Sequence, residues 1–286
     1  MKNKSPFIAA LCALGLFAAP VAAETIHTLE TRPGVKIPIA VLKAQKALRG
    51  AVILLPGSAG KLKLDGGTAF LNKTGNFVIR ARRRFAHSGF LTISMDAPAG
   101  SQALHGFRVS ADHAKDIGAT IAWARKKTGK PVWLIGFSRG TISAAGGAAQ
   151  LGVPPAGPDG IVLMSAVTET SRDGKDTVYD VALERIKVPV IVVHHRDDEC
   201  YVTPLYDALS LAKKTRCDND PYRRRQTTDL ETLRFQEPAR VLRRRTPDCP
   251  DARKTHERVA SELNSYFRSV PVASIRIAAK RQGSGP

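Results

Sequence analysis

The sequence predicts an α/β protein with a doubly wound, mostly parallel sheet that begins with an antiparallel edge. Short, continuous apolar runs alternate along the chain with longer amphipathic stretches, a pattern typical of parallel strands covered by helices on both faces. Residues 35–41 instead alternate apolar and polar positions, as expected of a half-exposed antiparallel strand. No internal repeat or linker divides the chain, so we expect one domain.

Length and composition are compatible with this class. The chain has 286 residues, of which 43% are hydrophobic and 24% charged, which excludes a coiled coil, a collagen, a disordered chain and a polytopic membrane protein. A chain of this length buries roughly 75% of its unfolded surface and needs no disulfide or metal to fold. Lys and Arg exceed Asp and Glu by 19 charges, so we expect the surface to attract anionic partners.

Residues 1–23 have the features of a secretory signal peptide. Lys2 and Lys4 precede an apolar run from Phe7 to Ala19, and small residues follow up to Ala23. The run is shorter than the ~20 residues that span a bilayer. We therefore expect cleavage near Ala23, a periplasmic or secreted protein, and a single mature domain over residues 24–286 with a flexible tail at 271–286.

The predicted elements follow in order along the mature chain. The apolar or alternating runs that predict strands are residues 25–31, 35–41, 51–55, 91–95, 132–135, 161–164 and 188–193. The amphipathic or small-residue stretches that predict helices are residues 76–87, 111–127 with Ser110 as the N-cap, 141–150, 205–214 and 256–267.

A Gly-x-Ser-x-Gly pentapeptide, Gly136 to Gly140, directly follows a predicted buried strand and precedes a predicted helix. A serine on such a sharp turn is forced into a strained conformation, and the flanking glycines leave room for it. The turn presents the hydroxyl at the N-terminus of a helix, where the dipole favours developing negative charge. We therefore predict that Ser138 is a nucleophile. The alternative is a glycine-rich turn whose serine only caps the helix.

A serine nucleophile needs a base that is oriented by an acid. On sheets with this turn the chain order is nucleophile, acid, histidine. Of the seven histidines, only His256 follows both Ser138 and the strand expected to carry the acid. We predict His256 as the base; the alternative is a solvated helix residue. Asp198 is the predicted acid, with Asp197 as the alternative. Less favoured carboxylates are Glu199, Asp173, Asp176 and Asp180.

Acyl transfer also needs hydrogen-bond donors that face the developing oxyanion. Residues 51–60 form a predicted strand that runs into a glycine-bearing loop. The backbone N–H groups of Ser58 and Arg139 are the predicted donors, and Gly57 leaves space for the substrate. The alternative is a plain exit from a strand into a loop. The predicted chemistry uses no cofactor and no metal.

These residues together resemble the α/β-hydrolase superfamily, and within it a group of exported bacterial hydrolases similar to dienelactone hydrolases. The stretches that carry the resemblance are Leu55–Gly57, Gly75–Phe77, Gly106–Arg108, Ser138–Thr141, His194–Asp198 and Cys249. Pro56 and Glu257 depart from residues common in relatives, but neither is a catalytic group. The resemblance implies a serine hydrolase with the triad Ser138, Asp198 and His256.

An Asp198–His256 pair, as the resemblance implies, would bring Cys200 and Cys249 close together. A Cys200–Cys249 disulfide is therefore the preferred pairing in an oxidising compartment. Cys12 leaves with the signal peptide, and Cys217 stays free or pairs with either of the others.

The surroundings of the predicted site suggest the kind of partner. The interval 166–187 is too short and polar for a bulky lid, so we expect a small-molecule, ester-like substrate. Arginines crowd residues 80–84, 223–225 and 243–245. They are either solvated or bind an anionic partner such as a membrane surface. No aromatic stacking pattern accompanies them, so nucleic acid is not expected. The competing function is an exported binding protein that uses this basic face without catalysis. The oligomeric state stays open.

Overall fold

The fold is described by a computed structural model that covers residues 23–172, 174–195 and 198–215. The strands are β1 (Thr25–Arg32), β2 (Val35–Leu42), β3 (Gly50–Leu55), β4 (Phe90–Met95), β5 (Val132–Phe137), β6 (Gly160–Met164) and β7 (Val190–Val193). The α-helices are α1 (Ala69–Lys73), α2 (Phe77–Arg80), α3 (Arg82–His87), α4 (Ala111–Thr128), α5 (Gly140–Leu151) and α6 (Leu205–Lys214). Short 3-10 helices cover Leu64–Gly66, Val178–Asp180 and Leu183–Arg185.

Several sequence-based predictions lie outside the described residues and stay predictions. They are the signal peptide up to residue 22, Asp173, Asp197, Cys217, the arginine runs at 223–225 and 243–245, Cys249, His256 with its helix, and the tail.

The described strands form one sheet in the order β1-β2-β4-β3-β5-β6-β7. Strand β2 pairs antiparallel with both β1 and β4, whereas the pairs from β4 through β7 are parallel. Each predicted strand is present, with ends that differ by at most two residues. The predicted fold class, a mostly parallel sheet with an antiparallel edge, is confirmed.

Helices cover both faces of the sheet because the central strands alternate their apolar side chains between two cores. Ile53 and Leu55 of β3 pack in the core that contains α4 and α5. Val52 and Leu54 face the other core, which contains α2 and α3. All side chains of β3 and β4 are buried, which explains why these strands read as continuous apolar runs.

Helix α4 begins where the sequence predicts. The Ser110 hydroxyl accepts a 3.1 Å hydrogen bond from the His113 N–H, a standard N-cap contact. Gly129, at φ 61°, ends the helix in the left-handed conformation. None of the helices within the described ranges has the length and apolarity that a membrane crossing requires.

The single helix predicted over residues 76–87 is wrong. Two short helices, α2 and α3, meet at Ala81 instead. The break accompanies the inward turn of Arg82, whose Nη1 donates to the carbonyls of Leu71 (3.2 Å) and Ile79 (3.1 Å).

Arg82 is also the central member of the basic run at 80–84, and it is not available to a ligand. Its side chain is buried and forms a two-pronged ion pair with Glu24, at 2.8 and 3.0 Å. The neighbouring Arg83 and Arg84 are exposed. An anion-binding surface on this run would therefore lack its middle arginine.

Candidate active site

Ser138 lies on the turn between β5 and α5, in the strand–turn–helix context that the sequence predicts. Its φ of 51° is in the left-handed region, which is strained for a residue with a side chain. The Ser138 N–H donates to the Met164 carbonyl at the end of β6 (2.9 Å), and the Ser138 carbonyl accepts from the Thr141 N–H (2.9 Å). These bonds hold the turn from both sides.

The two glycines of the pentapeptide are required by close packing. A Cβ at Gly136 would overlap the carbonyl oxygen of Gly140, and a Cβ at Gly140 would overlap that of Leu55. Gly136 therefore lets the chain double back, and Gly140 lets α5 begin directly against the end of β3.

The loop that follows β3, Pro56 to Gly60, passes directly beside Ser138, and we call it the oxyanion loop. A Cβ added at Gly57 would lie 2.8 Å from the Phe137 carbonyl oxygen and 3.0 Å from the Ser138 Cβ. Ser58 has a φ of 49°. Among the described residues, none accepts a hydrogen bond from the backbone N–H of Ser58 or of Arg139. Both predicted donors therefore lie beside Ser138, and no acceptor in the described part of the chain occupies them.

The Arg139 side chain has a role that the sequence analysis missed. Its guanidinium is buried and turns toward the interval between β6 and β7, where it donates to the Ser171 hydroxyl (3.0 Å) and the Gly174 carbonyl (2.5 Å). A Cβ at Gly174 would overlap this guanidinium. Arg139 thus links the Ser138 turn to the interval between β6 and β7.

Asp198 follows β7 and is held by its own loop. Its Oδ1 accepts from the Cys200 N–H (3.0 Å), and its Oδ2 accepts from the Thr203 hydroxyl (3.1 Å). The Nε2 of His194 is 3.8 Å from Oδ2, too far for a hydrogen bond. A carboxylate fixed in this way is suited to orient a histidine, but His256 lies outside the described residues and the triad stays a prediction.

Three of the less favoured candidate acids, Asp176, Asp180 and Glu199, lie within the described residues. Asp180 closes a capping box by accepting from the Thr177 N–H (2.7 Å), and Asp176 accepts from the Gly106 N–H (2.8 Å). Glu199 is exposed. Asp198 stays the predicted acid, and Asp176, Asp180 and Glu199 stay the less favoured candidates.

The side chain of His194, which the sequence analysis did not select as the base, is buried next to the predicted acid. The His194 side chain is 5% exposed, and within the described ranges neither ring nitrogen has a hydrogen-bond partner. Burial lowers the pKa of His194, and the charge of Asp198 only partly opposes that shift. The imidazole therefore packs against the Asp198 loop in surroundings that disfavour its protonated form.

Cys200 forms no disulfide with any described residue. Since Cys217 and Cys249 both lie beyond the described part of the chain, the predicted Cys200–Cys249 pairing stays a prediction.

A buried polar cluster lies behind the oxyanion loop, and the sequence analysis did not predict it. Arg108 and His113 are 1% and 2% exposed, and Ser143 is fully buried. The Ser143 hydroxyl accepts from the Arg108 Nη1 (2.8 Å) and contacts the His113 Nε2 (2.9 Å). Burial, together with the positive charges of Arg108 and Arg32, lowers the pKa of His113 to about 3.

The low pKa of His113 predicts a loss of stability in acid. The unfolded chain binds a proton at His113 below pH 6.5, whereas the folded protein does so only near pH 3, so stability falls as the pH drops through this range. At pH 5, about 1.5 pH units below the unfolded value, this group removes about 2 kcal/mol. Urea unfolding at pH 7.5 and pH 5 should show this difference.

His113→Gln can keep a hydrogen bond to Ser143 without titrating, so its stability should fall about 2 kcal/mol less than that of the wild type over the same interval. His87→Gln, at an exposed position, is the matched control and should behave like the wild type. Equal losses in the wild type and His113→Gln would contradict the prediction.

One cavity of the described structure lies away from Ser138. It has a volume of about 490 Å³ and lies beside the β1–β2 turn, where Arg32, Lys36 and Phe107 are among its lining residues. The oxyanion loop does not line it either, so we place the candidate active site at the Ser138 turn on chemical grounds.

The strand order, the helices on both faces and the strained serine between β5 and α5 define the α/β-hydrolase fold. Neither a protein-family model nor a curated protein sequence matches the chain. Solved structures of α/β hydrolases are similar to it. An α/β serine hydrolase homologue from Coxiella burnetii is 13% identical, with 68% of this chain and 83% of that chain covered and a TM-score of 0.49.

Two further solved structures show the same level of similarity. An esterase from Pyrococcus furiosus is 14% identical, with coverage of 68% of this chain and 78% of that chain and a TM-score of 0.49. A serine hydrolase without a lid from Xanthomonas campestris is 18% identical, with coverage of 69% and 97% and a TM-score of 0.42. The fold is defined here by the strand order and the Ser138 turn, not by these similarities.

Proposed function

We propose that the protein is a serine hydrolase that cleaves ester, thioester or lactone bonds through an acyl-enzyme. One observation carries the proposal: Ser138 is held at φ 51° between β5 and α5, beside two backbone N–H groups that have no hydrogen-bond acceptor among the described residues. A hydroxyl so placed, with donors ready for an oxyanion, is the arrangement that acyl transfer requires.

In the proposed mechanism, the Ser138 Oγ attacks the substrate carbonyl carbon while His256 accepts the hydroxyl proton. The carbonyl oxygen becomes an oxyanion that accepts hydrogen bonds from the N–H groups of Ser58 and Arg139. The C–O or C–S bond then breaks as His256 returns the proton to the leaving group. Water then attacks the acyl-enzyme in the same way, with His256 accepting its proton, and the bond to Ser138 breaks to release the carboxylic acid product. Asp198 orients the imidazole and stabilises its protonated form.

The substrate is proposed to be small or to extend into solvent. Between β6 and β7, where bulky lids would enter, the described chain has only two 3-10 helices, Val178–Asp180 and Leu183–Arg185. An assay with p-nitrophenyl esters of increasing chain length should show the highest kcat/KM for short acyl groups. A preference for long chains would contradict this part of the proposal.

A fluorophosphonate probe tests the nucleophile directly. We expect one equivalent of label per wild-type chain, measured by intact mass, and none in Ser138→Ala. Ser88→Ala is the matched control because Ser88 precedes the opposite, amino end of β4, and it should label fully. A folded wild-type protein that takes no label would overturn the proposal and favour an exported protein that binds anions through its basic face.

A further inference from the structure

We propose that Arg108 is a positioning residue for catalysis: it fixes the oxyanion loop so that the Ser58 N–H faces the reacting carbonyl, and it places a positive charge behind that donor. The inference rests on the proposed function, since it assigns a role in the same reaction. It concerns a residue that does not touch the substrate.

Arg108 reaches the loop at two points. Its Nη2 donates to the carbonyl oxygens of Pro56 and Ser58, each at 3.1 Å. Its Nη1 is anchored on the Ser143 hydroxyl of α5 at 2.8 Å. The planar guanidinium therefore bridges the oxyanion loop and the helix that begins beside the nucleophile.

These bonds determine which way the loop donors point. In a trans peptide the carbonyl and the N–H point in opposite directions, so a carbonyl fixed toward Arg108 directs the following N–H away from it. The Gly57–Ser58 peptide, which carries the proposed donor, lies between the two carbonyls that Arg108 binds. Its own carbonyl accepts from the Gly60 N–H at 3.0 Å. All three carbonyls are thus partnered, so the peptide that carries the Ser58 N–H is held from both sides and its orientation is fixed.

The packing around Gly60 shows that the loop is shaped to the guanidinium. A Cβ at Gly60 would lie 2.7 Å from the Arg108 Nη2 and 2.6 Å from the Leu104 Cδ1. Gly60 also has a φ of 82°, which side chains rarely adopt. The loop can close on Arg108 only because this position is glycine.

No carboxylate among the described residues forms an ion pair with Arg108. Its partners in the described structure are neutral oxygens, and its Nε has none. Burial and the nearby charge of Arg139 lower the pKa of Arg108 to about 9, with Asp176 opposing, so the group is still charged at neutral pH. A buried, unpaired charge destabilises the fold. An oxyanion beyond the Ser58 peptide would supply the missing negative charge, and only in the transition state.

The test compares Arg108→Met and Arg108→Lys with Arg82→Met. Arg82 is the matched control because it is equally buried and hydrogen-bonded, but its partners are Glu24, Leu71, Asn72 and Ile79 and none of them belongs to the oxyanion loop. All variants are assayed with one p-nitrophenyl ester at a temperature where circular dichroism shows them folded. Inhibition by an alkyl boronic acid, which forms an anionic tetrahedral adduct with a serine, is measured alongside.

We expect Arg108→Met to lower kcat by about 10², similar to loss of an oxyanion donor, with KM changed by less than about threefold. The kcat of Arg108→Lys should be about tenfold higher than that of Arg108→Met, since an ammonium restores the charge but not both hydrogen bonds to the oxyanion loop. Boronate affinity should fall in parallel with kcat/KM. Arg82→Met should lose stability and keep its kcat.

Two results would overturn the inference. One is an Arg108→Met protein with wild-type kcat and reduced stability, which would make Arg108 purely structural while Ser138 still labels. The other is equal losses of kcat in Arg108→Met and Arg82→Met. If Arg108→Met does not fold, Arg108→Lys decides by the same comparison. A wild-type chain that takes no fluorophosphonate would remove the proposed function and this inference together.

Discussion

Ser138→Ala and His256→Ala are each expected to lower kcat by about 10⁶, and the double variant is expected to be no slower than either single one. The reason is that a nucleophile and its base act as a unit: without the base the hydroxyl is a poor nucleophile, and without the hydroxyl the base has no proton to accept. Ser138 is already held in its strained turn, so the alanine should fold normally.

The measurement is a double-mutant cycle on kcat, with thermal unfolding to show that all four proteins are folded. Ser88→Ala and His87→Ala, with their double variant, form the control cycle because these adjacent residues, the last of α3 and its C-cap, are not among the predicted site residues. Their kcat values should stay within about threefold of wild type. Additive losses at Ser138 and His256 would show that the two residues do not cooperate, and His256 would no longer be the base.

Asp198→Asn is expected to lower kcat by about 10⁴ without unfolding the protein. The amide can still accept from the Cys200 N–H, as Asp198 Oδ1 does at 3.0 Å, and the Thr203 hydroxyl can rotate to accept from it. The loop should therefore keep its shape. The amide cannot stabilise a protonated histidine and favours the wrong tautomer, and in a serine triad this loss is of the stated size.

Asp197→Asn and Glu199→Gln are the matched controls, because they remove the carboxylates on either side of Asp198 in the sequence. Both should keep kcat within about threefold of wild type. A large loss of kcat in Asp197→Asn, with Asp198→Asn still active, would assign the acid to Asp197 and leave the serine mechanism intact. Small losses in all three would exclude this loop as the source of the acid.

The strands were predictable from sequence because the central sheet is buried on both faces. Every side chain of β3 and β4 is buried. These strands therefore appear in the sequence as continuous apolar runs, and runs this short favour a buried strand over a helix. The turn at Ser138 was predictable because the Gly-x-Ser-x-Gly spacing reflects close contacts at Gly136 and Gly140. Helix α6 was predicted with its observed bounds, Leu205–Lys214.

The break between α2 and α3 was not predictable, and neither was the cluster behind the oxyanion loop. Both depend on arginines that turn inward, whereas arginine is usually exposed. Arg82 is paired with Glu24, which is distant in sequence, and Arg108 binds backbone carbonyls in a loop about 50 positions away. Periodicity carries no information about such partners, since any residue offers a carbonyl. The only indication of Arg108 in the sequence analysis was that Gly106–Arg108 is one of the stretches that carry the resemblance to α/β hydrolases.

At residue 138 the left-handed backbone lowers the stability of the fold, while the serine that adopts it is the proposed nucleophile. Glycine adopts such a φ without steric penalty, whereas serine there costs on the order of 1–3 kcal/mol. Exchange of this serine for glycine would therefore relieve the strain and, in the same step, remove the proposed nucleophile.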